Sequence, residues 1–133
     1  MCWYYTRFKA INLLYLYVKT TWLNKVIFYC AVLVGCVIAF SPPEAGLQPQ
    51  LNDKLLHTVG FFSIAVLCHL AHPKARAYLL VLGLALLGLA IEFVQAYLPY
   101  RTFSLWDWVA DLSGILLYFL FIARIVIYKF MPD

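Results

Sequence analysis

Eight polar side chains lie in three short stretches of an otherwise apolar chain. The stretches are DKLLH at residues 53–57, EFVQAYLPYR at 92–101 and DWVAD at 107–111. Carboxylates and imidazoles serve as general acids and bases, and an arginine can bind an anionic group through two parallel hydrogen bonds. These residue types predict a site for acid–base chemistry or for binding a polar ligand. The candidate residues are Asp53, Lys54, His57, Glu92, Gln95, Arg101, Asp107 and Asp111.

The spacing within each stretch is that of a helix face. Asp53 and His57 are four residues apart, as are Asp107 and Asp111, and the acid and amide of the second stretch are three apart. Side chains three or four residues apart are neighbours on one face of an α-helix. We therefore expect each stretch to present its polar groups to one side of a helix.

The elements that carry these stretches are predicted to be membrane-spanning helices. The chain has 133 residues, of which 65% are hydrophobic and only 12% charged, an apolar share well above that of soluble domains. Crossing the hydrocarbon of a bilayer takes about 20 helical residues. Four apolar segments are long enough, at about 22–40, 55–71, 77–98 and 106–127.

The predicted fold class is all-α. Prolines follow the first three segments, where a helix is expected to stop, and the apolar runs lack the alternating pattern of a membrane β-barrel. Short connections should make neighbouring helices antiparallel. We expect a polytopic membrane protein in which residues 22–130 form one domain, an antiparallel bundle of four transmembrane helices.

The first 21 residues mix aromatic and basic side chains, with Trp3, Tyr4 and Tyr5 close to Arg7 and Lys9. An interfacial helix lying on a membrane face has this composition, and a loosely ordered tail is the alternative. We expect residues 1–21 to form an interfacial or flexible N-terminal segment.

The basic residues predict an orientation. Eight of the ten Lys and Arg residues lie before the first span or in its first turn, between the second and third spans, or in the last turn of the fourth span and beyond it, and four spans put these regions on one side. Because Lys and Arg favour the cytoplasmic side, both termini are expected in the cytoplasm. Only Lys54 and Arg101 fall on the other side, so the polar stretches are expected in the outer half of the membrane.

A lipoprotein leader is the alternative to the first span. LVGC at residues 33–36 fits a bacterial lipobox, and cleavage there would leave Cys36 lipidated. The apolar run continues through VIAF to paired prolines, however, as a full span requires. Ala31, Gly35 and Ala39 also form a ridge of small residues suited to close helix packing. We favour the span.

The outer half is predicted to carry excess negative charge. Glu44 and the four acids of the stretches face only Lys54 and Arg101, which leaves three negative charges. A carboxylate that faces lipid is costly, so these acids should turn inward. Either one acid is protonated through desolvation and like-charge repulsion, or a cationic group binds. The alternative to a pocket is an ion-pair network that only locks the helices together.

No metal or other cofactor is expected. Histidine and carboxylates are suitable metal ligands, but the sequence shows no tight ligand spacing. Cys30, Cys36 and Cys68 lie inside apolar runs and are expected to be buried free thiols. His69 and His72 are expected at the membrane interface. The scattered basic residues predict membrane lipids, and no nucleic acid, as partners.

The three polar stretches together resemble the VanZ-like family of small bacterial integral membrane proteins. DKLLH, EFVQAYLPYR and DWVADLSG occur in the family's order, and the resemblance covers residues 52–117. It implies a multi-pass protein of the bacterial inner (plasma) membrane, in a family whose named member is associated with teicoplanin resistance. It also implies the eight candidate residues as the functional set. Asp111 departs from the pattern, because the family often has Asn there.

Three functions fit these observations. The first is an outer-leaflet pocket that binds an amphiphile, such as a lipid-linked cell-envelope intermediate or a lipoglycopeptide, with Arg101 on its anionic head group. The second is an enzyme acting on a lipid head group, with Glu92, Asp111 or His57 as general acid or base. The third is a proton-coupled carrier, since acids and histidines form proton relays. The aromatic residues expected to form a rim above the pocket are Tyr97, Tyr100, Trp106 and Trp108.

Overall fold

Four α-helices make up most of the described chain. The computed structural model describes residues 2–46 and 52–122, and no strand occurs in these two ranges. A short 3-10 turn, Pro43–Ala45, follows the first helix, and a π-helical turn, Tyr118–Ile122, continues the last one. The helices are α1 (Cys2–Phe40), α2 (Asp53–Ala71), α3 (Ala77–Gln95) and α4 (Leu105–Leu117).

α1, α2 and α3 each contain a segment long and apolar enough to cross a membrane, and α4 forms a fourth such segment together with the π-helical turn that continues it. Large apolar side chains such as Leu33, Leu82, Leu86 and Phe121 are exposed on the helices, which suits surfaces that face lipid, since about 20 such residues span the hydrocarbon. The segments are Thr20–Phe40, Asp53–Ala71, Ala77–Gln95 and Leu105–Ile122. The prediction of an all-helical chain is confirmed for the described residues, and the four apolar segments support a multi-pass membrane protein.

The helix limits differ from the predicted spans at three places. α1 extends without a break through nearly all of residues 1–21, so the segment predicted there is helical in its backbone, while its interfacial position stays a prediction. α2 begins two residues before the predicted start at 55. Residues 123–127 of the predicted fourth span lie outside the described residues.

α3 ends at Gln95 rather than at the predicted residue 98 because its last turn tightens. The N–H of Tyr97 donates to the carbonyl of Val94 (3.1 Å), and that of Leu98 to the carbonyl of Gln95 (3.0 Å). These bonds bridge three residues instead of four, as is common at helix ends. Pro99 follows, and a proline disfavours the helical conformation of the residue before it.

Side-chain caps determine where α2 and α4 begin. Asn52 accepts a hydrogen bond from the backbone N–H of Lys54 (3.1 Å), and Ser104 Oγ accepts one from the N–H of Asp107 (3.3 Å). Each cap satisfies a donor that the helix start leaves free. Asp53 and Asp107 lie in the first turns of these helices, where the helix dipole favours a negative charge. Local capping thus places two of the candidate acids.

α2 and α4 make the closest helix contact, and Gly114 permits it. A Cβ at Gly114 would lie 2.2 Å from the carbonyl oxygen of Thr58, so a side chain there would force the two backbones apart. Beneath this contact lies the apolar core, which includes Phe61, Leu84 and Ile115. α3 packs against α4, and α1 packs against α2.

The small-residue ridge predicted on α1 does not pack closely at its centre. A Cβ at Gly35 would find no atom within 4 Å, and Gly35 and Ala39 instead line a cavity shared with α2 and α3. The prediction of close packing at Gly35 is therefore wrong. The C-terminal end of α1 is instead held by a hydrogen bond from the Gln95 side chain to the carbonyl of Ala39 (3.0 Å). The cavity lies beside this end of α1.

Candidate functional site

The predicted polar residues converge at one end of the helices. This charged end is built from the start of α2, the end of α3, the loop that follows it and the start of α4. Side-chain contacts, described below, join these parts across long stretches of sequence. The members of the charged end are Asp53, Lys54, His57, Glu92, Gln95, Arg101, Asp107 and Asp111.

Two ion pairs join α2 to α4. Lys54 Nζ lies 3.0 Å from Asp107 Oδ1, and His57 Nδ1 lies 2.8 Å from Asp111 Oδ1. The Lys54 side chain is 57% exposed, whereas that of Asp111 is fully buried. An exposed pair contributes little to stability, but removing one partner of a buried pair is costly. The His57–Asp111 pair is thus the important one.

Glu92 connects α3 to the start of α4. Its Oε2 accepts a hydrogen bond from the backbone N–H of Ser104 (2.9 Å), the residue that caps α4. Glu92 is fully buried, like Asp111. Within the described part of the chain, Glu92 Oε1 and Asp111 Oδ2 are buried and have no hydrogen-bond partner. Two buried carboxyl groups therefore each keep one oxygen free.

Two overlapping groups of side chains have ligand atoms close enough to hold a metal ion. One consists of His57, Glu92 and Asp111, and the other of His57, Asp53 and Asp107, with the ligand atoms of each group within 4.8 Å of one another. The first group draws on three helices. Ligands on separate helices produce no short spacing in the sequence, which is why the spacing gave no sign of this arrangement.

Gln95 and Tyr100 bind the end of α1. Gln95 Nε2 donates to the carbonyl of Ala39 (3.0 Å), and the Tyr100 hydroxyl donates to the carbonyl of Phe40 (2.9 Å). The last carbonyls of a helix have no partner within it, so these two side chains satisfy them. Gln95 was predicted to contact a ligand, and its amide N–H in fact also positions α1.

Asp53 and Arg101 make no ion pair with any of the described residues. Asp53 is exposed, and Arg101 is partly buried with a buried Nε that lacks a hydrogen-bond partner in the described part of the chain. Both side chains line the cavities of the charged end. Lys54 and His57 of the charged end pair with acids, whereas Arg101 remains available.

Two adjoining cavities meet at the charged end. The polar cavity, about 380 Å³, lies under the loop after α3. The apolar cavity, about 340 Å³, runs between α1, α2 and α3 along residues such as Cys36, Gly60 and Ile91. Both volumes fall in the roughly 300–1,000 Å³ range of small-molecule sites. Four residues line both cavities: Asp53, His57, Gln95 and Arg101.

The sequence analysis missed Gly88, Ser104 and Thr58. A Cβ at Gly88 would lie 2.7 Å from Asp111 Oδ2, so this glycine makes room for the buried carboxyl one turn before Glu92. Thr58 Oγ1 donates to the carbonyl of Ala110 (3.2 Å) across α2 and α4. A glycine four residues before an acid, and a serine directly before a helix, were the available signals.

The aromatic residues near the site take two different positions. Tyr97 is 88% exposed and Trp106 is 71% exposed, as expected for a rim. Trp108 is instead half-buried, and its indole N–H donates to the carbonyl of Ala85 on α3 (2.9 Å). Trp108 therefore ties α4 to α3, and the prediction that it belongs to the rim is not supported by its contacts.

Comparison with known proteins gives one informative similarity. The chain is 33% identical over 92 residues to Uncharacterized protein C11E3.10 of the fission yeast Schizosaccharomyces pombe, covering 66% of this chain. The chain spans about half of that relative, 55% of its length. No protein-family model matches the chain, and no solved structure matches it. The similarity is to a eukaryotic protein, whereas the motif resemblance predicted a bacterial one.

Proposed function

We propose that this chain is a VanZ-like membrane protein that binds an anionic amphiphile at its charged end. The amphiphile is a lipid-linked cell-envelope intermediate or a lipoglycopeptide, the ligand classes suggested by the resemblance. The proposal includes an antiparallel four-helix bundle in a bacterial plasma membrane, with both termini in the cytoplasm and the charged end in the outer leaflet. The distribution of basic residues supports this orientation, and the bacterial source depends on the motif resemblance.

The observation that carries the proposal is the junction of a polar cavity with an apolar one. Asp53, His57, Gln95 and Arg101 line both, so a ligand with a polar head and an apolar tail could occupy both at once. A pure ion-pair clasp would need no cavity on either side. An apolar site with a few convergent polar groups is the usual form of a small-molecule site.

The head group is proposed to bind in the polar cavity. Arg101 makes no ion pair with a described acid, so its guanidinium can bind a phosphate or carboxylate through two hydrogen bonds. Asp53 and Asp107 also line this cavity, and they can accept hydrogen bonds from sugar hydroxyls. Arginine thus supplies the anion contact, and the acids supply selectivity for a hydroxyl-rich head.

The tail is proposed to lie in the apolar cavity. Gly35 and Gly60 line its two sides, and a Cβ at either would meet no atom within 4 Å. The absence of side chains at these positions keeps the space between α1 and α2 open. Substitutions here should fill the cavity without disturbing the packing.

The direct test is to fill the apolar cavity. Gly60→Leu should reduce photo-cross-linking of a diazirine-labelled lipid-linked cell-envelope intermediate, or of labelled teicoplanin, at least tenfold, and Arg101→Ala should do the same through the head group. Gly83→Leu is the matched control, because Gly83 also has open space around it but lines neither cavity. Unchanged labelling of both test variants, at equal protein level, would contradict the proposal.

The orientation is tested by single cysteines in a background without the native ones. Thr102→Cys lies in the loop of the charged end and Ala75→Cys in the loop between α2 and α3, and both positions are exposed. A membrane-impermeant maleimide added to whole cells should label position 102 and leave position 75 unlabelled. The reverse pattern would place the charged end on the cytoplasmic side.

A second candidate function is catalysis on a lipid head group. The observation in its favour is the His57–Asp111 pair, because a buried acid that orients an imidazole is a common arrangement for a general base, and His57 lines the polar cavity. Cells that express the wild type would then differ in lipid composition from cells that express Glu92→Gln or His57→Gln at equal level. Identical lipid profiles would leave binding as the function.

A further inference from the structure

Three side chains from three different helices meet beneath the polar cavity. His57 of α2, Glu92 of α3 and Asp111 of α4 each place one ligand atom within 4.8 Å of the others. Both acids are fully buried, and His57 is largely buried. Groups that ionise are costly to bury, so each of them needs a partner.

The hydrogen bonds of the described residues do not supply enough partners. The Ser104 N–H donates a hydrogen bond to Glu92 Oε2, and His57 Nδ1 is hydrogen-bonded to Asp111 Oδ1. Glu92 Oε1 and Asp111 Oδ2 remain buried and without a partner in the described part of the chain. Such atoms are rare in folded proteins and each one requires an explanation, for which a bound ion is one of the standard forms.

The acidic groups of the charged end outnumber its basic groups, which favours binding of a cation. Four acids, Asp53, Glu92, Asp107 and Asp111, face Lys54, Arg101 and His57, so the charged end has one negative charge in excess when His57 is protonated and two when it is neutral. Bringing a charge imbalance into the membrane region is unfavourable. One divalent cation would cancel the excess of two.

From these observations we propose that the charged end binds one divalent transition-metal ion, Zn²⁺ or Mn²⁺, through His57, Glu92 and Asp111. Imidazole favours transition metals and carboxylates favour hard ions, so the mixed set fits this class better than Ca²⁺ or Mg²⁺. Ligand atoms about 2.1 Å from zinc lie roughly 3.4 Å apart in a tetrahedral site, so small side-chain rotations suffice from the present spacing. The Ser104 N–H holds the Glu92 carboxyl in place, and Gly88 leaves room for the Asp111 carboxyl.

Metal titration of the purified full chain tests the inference. The protein is stripped with EDTA in detergent, desalted, equilibrated with ZnCl₂ or MnCl₂ alone, and its bound metal is measured by mass spectrometry. The wild type should retain about one ion per chain. Glu92→Gln keeps the shape of the side chain and an acceptor for the Ser104 N–H. This variant should nevertheless bind the metal ion at least tenfold more weakly than the wild type.

Two matched controls locate the ion. Glu44→Gln removes an exposed acid outside the ligand groups and should bind like the wild type. Asp53→Asn removes one of the excess negative charges but none of the three proposed ligands, so it should weaken metal binding far less than Glu92→Gln does. The inference is overturned if the wild type binds no stoichiometric metal, or if binding follows Asp53 or Glu44 rather than Glu92.

X-ray absorption of the zinc-loaded wild type keeps the inference testable even if Glu92→Gln fails to fold. The expected first shell contains one imidazole nitrogen, with oxygens as the remaining ligands. A sulfur ligand, or a shell of oxygens alone, would place the metal elsewhere and overturn the assignment. The measurements use no amphiphile, so their failure would leave the proposed amphiphile site untouched.

Discussion

The two ends of the helices differ in how their polar side chains are hydrogen-bonded. At the end opposite the charged one, which we call the aromatic end, His69 Nδ1 lies 2.8 Å from the Tyr118 hydroxyl and His72 Nδ1 lies 3.1 Å from the carbonyl of Cys68. Asn24 donates to the carbonyl of Leu70 (3.2 Å). The members of the aromatic end are Asn24, Phe28, His69, His72 and Tyr118.

Aromatic rings pack around these polar groups at the aromatic end. The His72 ring meets Phe28 edge-on with centroids 5.7 Å apart, and the His69 ring packs against Tyr118 in the same manner at 5.8 Å. The two histidines, expected at the membrane interface, are thus half-buried among aromatic rings. Neutral polar groups with local partners hold the helices together here.

The charged end combines four carboxyl groups with two cavities and three buried atoms that lack partners among the described residues, namely Glu92 Oε1, Asp111 Oδ2 and Arg101 Nε. A purely structural end can satisfy its polar atoms internally, as the aromatic end does. The contrast supports the proposal that the polar residues at the charged end bind a ligand.

The largest effect should come from removing the partner of the buried acid. His57→Phe leaves the Asp111 charge without its ion pair, which should cost about 3–5 kcal/mol of stability and lower the thermal midpoint in detergent with EDTA present. The double variant His57→Phe, Asp111→Leu should recover most of the loss, because an apolar pair replaces the ionic one. A double variant as unstable as the single one would show that the ion pair is not the cause.

A smaller effect is expected from Gly88→Ala. The new methyl group would lie 2.7 Å from Asp111 Oδ2 and 3.2 Å from the Phe61 ring, so the buried carboxyl must move, at a cost of about 1–3 kcal/mol. Gly83→Ala, on the same helix with open space around it, should be neutral or slightly stabilising because alanine favours the helix. Equal thermal midpoints for the two variants would contradict the close fit at Gly88.

The smallest effect should follow Tyr118→Phe at the aromatic end. This change removes one neutral hydrogen bond to His69 and keeps the ring contacts, so we expect a loss of about 1 kcal/mol. Metal and amphiphile binding should stay at wild-type values, since the residue lines neither cavity. If Tyr118→Phe weakened ligand binding as strongly as Arg101→Ala, the separation of the two ends would be wrong.

Much of the fold could be predicted from apolar runs and prolines. The predicted spans at 55–71 and 77–98 agree with α2 and α3 to within about three residues, because a helix in lipid must satisfy its own backbone and therefore needs a long apolar run. The grouping of the polar stretches at one end was predictable too. Consecutive spans run in opposite directions, so the start of α2, the end of α3 and the start of α4 are expected on the same side.

The contacts within the site could not be predicted in this way. Lys54 pairs with Asp107 and His57 with Asp111, but equal spacing along each helix would allow other pairings. The choice depends on how α2 and α4 are rotated and how closely they approach at Gly114, where a Cβ would meet the Thr58 backbone. Gly35 is a second example: its small size predicted a close helix contact, but the structure has open space there.

By itself, the order of residues determined that this chain forms helices long and apolar enough to cross a membrane and that four of its six acidic residues lie at one end of them. Those properties follow from composition and from periods along a single helix, which are local quantities. Only the tertiary structure decided which acids are buried, which oxygens keep no partner and where polar and apolar cavities join. These depend on distances between helices, and such distances are set by the packing of residues far apart in the chain.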